Sequence, residues 1–323
     1  MGDRAIRAAA LQIEAEVGNL DHNLEMCERE ADSAAAAGAE WIVLPEFFSS
    51  GVAYRPELAQ SAPPPDGAPT QLLRDLARRH GAHVGGSTLV RDRDGHVRNA
   101  FLLAGPDGEL LGRHDKDLPT MWENALYTGG GDPGRIEADG LVAGVALCWE
   151  LMRTQTLERL GGRVDVVLSG SGWWSIPPWP PRPLMRWHQE RNKQRALRAP
   201  AAFAEAVGAP VIHAAHSGSF NCPFPLTGVV YHGHYQGGAM VCSPDGRTLA
   251  FRGREEGPGF ALAEVVVGRR AAQPAPDRFW LQRRGSVAAT LWAVQNIHGR
   301  REYRRTHAQQ PRSSGSAAEA GSS

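Results

Sequence analysis

Cysteine is scarce in this chain and nowhere paired. The 323 residues hold 4 cysteines, Cys27, Cys148, Cys222 and Cys242, with no C-x-x-C spacing among them. That scatter argues against a disulfide framework or a zinc site and fits a reducing compartment. An excess of charge of one sign is also missing: 35 Lys and Arg balance 35 Asp and Glu. No global field therefore calls for nucleic acid or an anionic membrane. No apolar run approaches the roughly 18 residues that a membrane helix needs. Met1 to Ile6 leads straight into a strand-like pattern and offers neither a signal peptide nor a myristoylation site. The expectation is a cytoplasmic chain with no membrane and no nucleic-acid partner.

What is present is an alternation of strands and helices long enough for a large core. Ile6 to Ile13 reads as a buried strand, and Asn19 caps a helix whose Leu20, Leu24, Cys27 and Ala31 recur at helical spacing until Gly38 closes it. Trp41 to Leu44 is a second buried strand, so this opening is a βαβ unit with a parallel pair. A helix over 71–80 and a strand over 84–91 follow. Asp94-Gly95 and Pro106-Asp107-Gly108 then turn the chain through strands at 99–104 and 109–116.

An apolar run from Leu141 stops at Cys148, with a helix over 153–160 and a strand over 164–168 beyond it. The segment 184–198 is basic and helical, and Pro200 is expected to open a separate helical piece that Gly208 ends. Strands at 211–215, 238–242 and 258–267 complete an α/β fold with mixed sheets. Residues 1–298 are read as one catalytic domain. From Gly299 the basic run Arg300, Arg301, Arg304 and Arg305 and a Ser/Ala/Gly tail to Ser323 read as a solvated, disordered arm.

Three reactive groups stand at ends of expected strands: Glu46, Lys116 and Cys148. Such ends are where ligand sites gather in α/β sheets. A strand that breaks sharply at a cysteine and starts a helix lifts the thiol to the sheet edge, beside free backbone amides. A carboxylate can take the thiol proton, and a fixed ammonium can stabilise the oxyanion that attack on an amide or nitrile builds. Taken singly, each residue also fits a structural role. His213, His216, His232 and His234 lie across several elements without a carboxylate partner pattern, so no metal is expected. Nor is any cofactor. Cys222, in a loop beside Pro223, is a possible substrate contact.

The ordered set Leu44-Pro45-Glu46, Lys116-x-x-Pro119-Thr120-x-x-Glu123 and Ala146-Leu147-Cys148-Trp149-Glu150 resembles the nitrilase superfamily of carbon–nitrogen hydrolases. The resemblance implies a four-layer α-β-β-α sandwich of two mixed sheets and commonly a homodimer or higher homo-oligomer. It implies Cys148 as nucleophile, Glu46 as general base, Lys116 as oxyanion-stabilising cation and Glu123 as an accessory glutamate. The amide of Trp149 would complete the oxyanion hole. Trp149, Trp173, Trp174 and Tyr54 are the candidates for substrate binding, and an aromatic wall suits an apolar substrate.

The implied reaction is cofactor-independent hydrolysis of a small-molecule nitrile or amide through a thioester or thioimidate. Amidase or N-carbamoyl-amide hydrolase activity is the alternative to nitrilase, and a non-catalytic binding protein on the same scaffold is the second alternative. Cys148-Trp149-Glu150 lies nearer the nitrilase branch. Arg153, by contrast, resembles an arginine of amidase-like members, displaced by one position. The Ala-x-Glu-Asn helix signature of the family is missing near Arg198-Ala199-Pro200-Ala201.

Overall fold

The computed structural model describes residues 4–274 and 286–308. It opens with β1 (Arg4–Ile13), whose alternate side chains enter different cores. Ile6, Ala8 and Ala10 join one apolar cluster, and Ala9, Leu11 and Ile13 join another. A strand covered on both faces has no polar side to show, which explains its near-continuous apolar sequence. Asn19 caps α1 (Leu20–Ala36) by accepting a hydrogen bond from the His22 amide. Cys27 lies fully buried on the core face of that helix.

The chain continues through β2 (Trp41–Val43), α2 (Glu57–Gln60), α3 (Ala68–His80), β3 (His83–Arg91), β4 (Val97–Ala104) and β5 (Leu110–Asp115). A hairpin of β6 (Arg135–Ala138) and β7 (Leu141–Val145) leads to α4 (Thr154–Leu160), β8 (Val166–Ser171), α5 (Arg182–Val207) and β9 (Val211–His216). A second hairpin, β10 (Ser219–Pro223) with β11 (Val230–His234), precedes β12 (Gly237–Cys242), β13 (Thr248–Gly253), β14 (Gly259–Val267) and α6 (Ser286–Ala308).

The fold is α/β with mixed sheets, and its two arms are hydrogen-bonded into one twelve-stranded ladder. One edge of β1 is shared: Ala8 to Ala10 pair with β2, while Gln12 and Ile13 pair with β9. From that fork one arm runs β2-β3-β4-β5 and the other β9-β8-β7-β6, with β14 on the far edge of β1 and β12-β13 on β9. Strands of both arms fill one core, including Trp41, Val43, Phe101 and Leu103 from one and Val145, Val166, Leu168 and Ile212 from the other. Helices α1 and α3 pack on the first arm, and α4 and α5 on the second.

Three expectations need correction. The helix around Pro200 is not two pieces: α5 is continuous with Pro200 inside it. A proline there costs a backbone hydrogen bond, about 3 kcal/mol in an isolated helix. The face made by Ala196, Ala199, Phe203 and Val207 is held in the core with β9 and β12, and that burial keeps the helix whole.

The hairpin β10–β11 lies where no strand is expected. Its Ser219–Pro223 strand alternates exposed and buried residues, and Gly233 sits against the Phe220 ring. Finally, the expected boundary at 298/299 falls inside α6. That helix reaches residue 308 with Gly299 and Tyr303 buried, so the basic run is one exposed face of a docked helix. The remainder of the expected tail, 309–323, lies outside the described residues. Among the described residues, no helix is long and apolar enough to cross a membrane.

Candidate active site

Strands β1, β2, β3, β5, β7, β8 and β9 share one direction through the ladder, because each lies parallel to its neighbour or two antiparallel steps away. Their carboxyl ends therefore meet. Glu46 lies just after β2, Lys116 directly after β5, Cys148 just after β7 and Gly172 directly after β8, while His216 closes β9. Asn99, near the start of antiparallel β4, reaches the same edge.

Lys116 is almost wholly buried and lies between two carboxylates. Its Nζ donates to Glu46 Oε1 at 2.8 Å and to Glu123 Oε2 at 2.8 Å. Glu46 is held on both oxygens: Asn99 Nδ2 donates to Oε1 at 2.9 Å and the Gly172 amide to Oε2 at 3.0 Å. Its own carbonyl receives His216 Nε2 at 2.5 Å. Glu123 Oε2 also accepts from the Thr120 amide at 2.9 Å and the Tyr127 hydroxyl at 2.5 Å, whereas its Oε1 is buried without a hydrogen-bond partner.

The loop carrying Glu123 is closed by glycines for a steric reason. A Cβ on Gly130 would lie 2.4 Å from Asp115 Cβ, and one on Gly129 would lie 2.1 Å from the Asp117 carbonyl oxygen. Any side chain there would push the loop off the end of β5. Gly170 does the same service for β2, since its Cβ would lie 2.6 Å from the Glu46 amide nitrogen.

Cys148 is buried and holds a left-handed backbone, φ 50°, which costs a residue with a Cβ roughly 1–3 kcal/mol. Phe47, next to Glu46, and Met121, two before Glu123, share this conformation, so three of the five such non-glycine residues described stand at this site. Strain of this kind tends to collect at functional sites. The cysteine begins a 3₁₀ turn, Cys148–Met152, braced by Glu150, whose Oε2 accepts from the Leu147 amide at 2.8 Å.

Electrostatics couple the four groups. Burial and the neighbouring Glu46 carboxylate push the Cys148 thiol well above its usual range, against the pull of Lys116. Burial raises Glu46 too, and Lys116 only partly offsets it. Burial alone would strip Lys116 of its proton, but Glu123 and Glu46 outweigh it and keep the ammonium charged. The resting site thus holds a protonated thiol under the influence of the Glu46 carboxylate and of a fixed cation. Such a set can deprotonate a nucleophile and receive a developing oxyanion.

The aromatic candidates fall into two groups. Trp149 lies 5.6 Å from Trp173 and stacks on Trp292 at 4.7 Å. Trp174 lies 4.3 Å from Trp122, whose other side meets Tyr54 at 6.4 Å. Met121 packs on both groups. Arg153 pairs with Asp117. His213 is buried between Ser169 and Ser171, and burial lowers it to about 3, so it stays neutral in a structural role. Cys222 is buried among Phe220, Tyr231 and Tyr54. Among the described residues no group of three or more His, Cys, Asp and Glu could hold a metal ion.

Sequence reasoning did not single out Asn99, Tyr127 or Trp292, and it weighed His216 only as one of four histidines without a metal pattern. Tyr127 ends the loop that carries Glu123, and Asn99 sits near a strand start, so position gave a hint of both. Nothing local marks Trp292, more than 140 residues from Trp149.

Comparison with known proteins gives the family. The family described as carbon-nitrogen hydrolase matches residues 7–274. The 2-oxoglutaramate amidase of Bacillus subtilis (strain 168) is 26% identical over 269 residues, 81% of this chain and 92% of that protein. A nitrilase of Pyrococcus abyssi is 26% identical over 187 residues, 55% of this chain and 69% of that protein. A mutant of the amidase from Nesterenkonia sp. AN1, solved with acrylamide added to its active-site cysteine, superposes with TM-score 0.63 at 21% identity, covering 89% of this chain and 99% of that one. A carbon-nitrogen hydrolase from Helicobacter pylori G27 gives 0.65 at 18% identity, over 81% and 89% of the two chains. At these identities the two structures attest the fold alone.

Proposed function

Because this chain belongs to the carbon-nitrogen hydrolase family, we propose that it hydrolyses a small-molecule amide through a thioester on Cys148. The observation that carries the reading is Lys116, held at 2.8 Å from both Glu46 and Glu123 beside a strained, buried thiol. A surface role has no use for a desolvated ammonium between two carboxylates.

In the first half-reaction Sγ of Cys148 attacks the amide carbon while its proton passes to Glu46. The new C–S bond leaves an oxyanion that Lys116 and the Trp149 amide stabilise. Glu46, now protonated, gives that proton to the departing nitrogen as the C–N bond breaks, and ammonia leaves a thioester behind. In the second half Glu46 takes a proton from water, hydroxide adds to the thioester, and the C–S bond breaks. The thiolate recovers the proton as the carboxylic acid departs. A raised Glu46 suits both directions, since a base must be strong enough to take the thiol proton and still return it.

The amidases among the relatives support an amide substrate. Cys148-Trp149-Glu150 and the Pyrococcus relative favour a nitrile as the second reading. There the first adduct is a thioimidate, and one more water is consumed. A panel of primary amides, nitriles and N-carbamoyl compounds, assayed for ammonia with mass spectrometry of Cys148, separates the readings. Ammonia from amides with an acyl mass on Cys148 is expected. Cys148→Ala should lower kcat/KM at least about 10³-fold, and a variant that keeps its activity overturns the mechanism.

A further inference from the structure

Helix α6 lies wholly outside the residues matched to the family, yet it packs against the loop that holds Glu123. Its contacts recur along one face. Trp292 stacks on Trp149 with ring planes 24° apart. One turn on, Asn296 Oδ1 accepts from Asn124 Nδ2 at 3.1 Å. His298 Nε2 meets the Tyr54 hydroxyl at 2.8 Å. At Gly299 an added Cβ would lie 2.8 Å from Asn124 Cβ and 3.0 Å from the Ala125 amide nitrogen, so backbone touches backbone. The Tyr303 hydroxyl accepts from the Val97 amide at 2.9 Å. Leu291, Val294 and Ile297 face away and are exposed.

From this placement we propose that α6 supplies the outer wall of the acyl pocket, with Trp292 as a specificity-determining residue for a flat, apolar acyl substituent. The inference rests on the amidase reading above. Around Cys148 the polar side is occupied by Glu46, Lys116 and Glu123, which take the carbonyl oxygen and the leaving nitrogen. The other side belongs to the apolar cluster in which Cys148, Trp149, Trp173 and Met121 pack and to which Trp292 is added from α6. On this proposal an acyl group bound to Sγ lies on the side of those indoles, because Cys148 shares their cluster. Trp149 and Trp173 are nearly buried, while Trp292 is only partly so. Trp292 thus closes the stack from outside, where a flat ring can lie against it.

The test compares Trp292→Ala and Gly299→Leu, which wedges α6 away from Asn124, with Trp187→Ala on the exposed start of α5 as control. Each is assayed on acetamide and on phenylacetamide. A lost indole face should raise KM for phenylacetamide about tenfold and leave acetamide within about twofold. Equal losses on both substrates, or none on either, would overturn the wall.

Alkylation of Cys148 by iodoacetamide and by 2-iodo-N-phenylacetamide, followed by mass spectrometry, reads the wall without any turnover. The two α6 variants should slow the phenyl reagent about fivefold relative to the small one, with the control unchanged. If no amide or nitrile is hydrolysed but this discrimination holds, the hydrolase reading fails and the wall stands. If turnover occurs without discrimination, the wall alone fails.

Discussion

Two buried cations sit two residues apart at the end of β5, each between a pair of carboxylates, and they do different work. Lys116 lies between Glu46 and Glu123. His114 donates to Asp132 at 2.6 Å from Nδ1 and lies 3.2 Å from Glu150 through Nε2. Around His114 the carboxylates are fully engaged by main chain. Asp132 accepts from the amides of Asp115 and Gly134, and Glu150 from those of Leu147 and Asp117. Around Lys116 one oxygen of Glu123 has no hydrogen-bond partner, and the thiol of Cys148 stands beside Glu46. Spare valence, more than buried charge, marks the reactive cluster. The satisfied one braces the turn that carries Cys148, because Glu150 ties both Leu147 and the residue after Lys116.

Removing each cation should break the pair apart. Lys116→Met deletes the proposed oxyanion partner and is expected to lower kcat by about 10²–10³-fold, as loss of an oxyanion-hole donor does. Substrate KM should move far less, because the contact strengthens only in the transition state. Steady-state kinetics on the best amide of the panel checks this. A KM effect with unchanged kcat would make Lys116 a ground-state binding group and erase the distinction drawn above.

His114 should answer in stability instead. Burial lowers its pKa, but Glu150 and Asp132 outweigh that and raise it from 6.5 to about 9. A cation stabilised by folding contributes fully below pH 6.5, and the contribution fades as pH rises through about 9. About 3 kcal/mol of unfolding free energy is at stake over that window. His114→Gln should lose about that much near neutral pH and flatten the alkaline decline. Urea unfolding at several pH values measures both. An unchanged pH slope in the variant would show that His114 is neutral in the fold and that only one buried cation exists at this edge.

The contrast also explains what could be read from the sequence. Glu46, Lys116 and Cys148 were legible as groups at strand ends: Glu46 and Cys148 follow apolar runs, while Lys116 follows the polar Arg113-His114-Asp115 and stood out through the resemblance to the nitrilase superfamily. Glu123 came only from the resemblance to the nitrilase superfamily. The fork in β1 was not legible: pairing Gln12 and Ile13 with β9 and Ala8 to Ala10 with β2 depends on how two arms diverge, which no local period records. The α5 helix deceived for a related reason, since tertiary burial overrides what Pro200 does to an isolated segment. α6 was hidden most deeply. Its charged face gave a strong compositional signal, while its docking face holds small, polar and aromatic residues that make sense only against Asn124 and Trp149.

The smallest expected effect tests whether α6 belongs with the braced region or with the reactive one. Tyr303 is buried, and its hydroxyl receives the amide of Val97. That amide opens β4, two residues before the Asn99 that holds Glu46. Tyr303→Phe keeps the ring and removes the acceptor, leaving a buried donor, so a loss of about 1 kcal/mol is expected. Hydrogen exchange resolves where it falls. If α6 is a locally docked wall, its amides should lose protection while those of β4 and β9 keep theirs, because sub-global opening spares the core. If instead the loss spreads evenly over the chain, α6 folds as one unit with the ladder, and its hold on the pocket is as permanent as the bracing beneath Cys148.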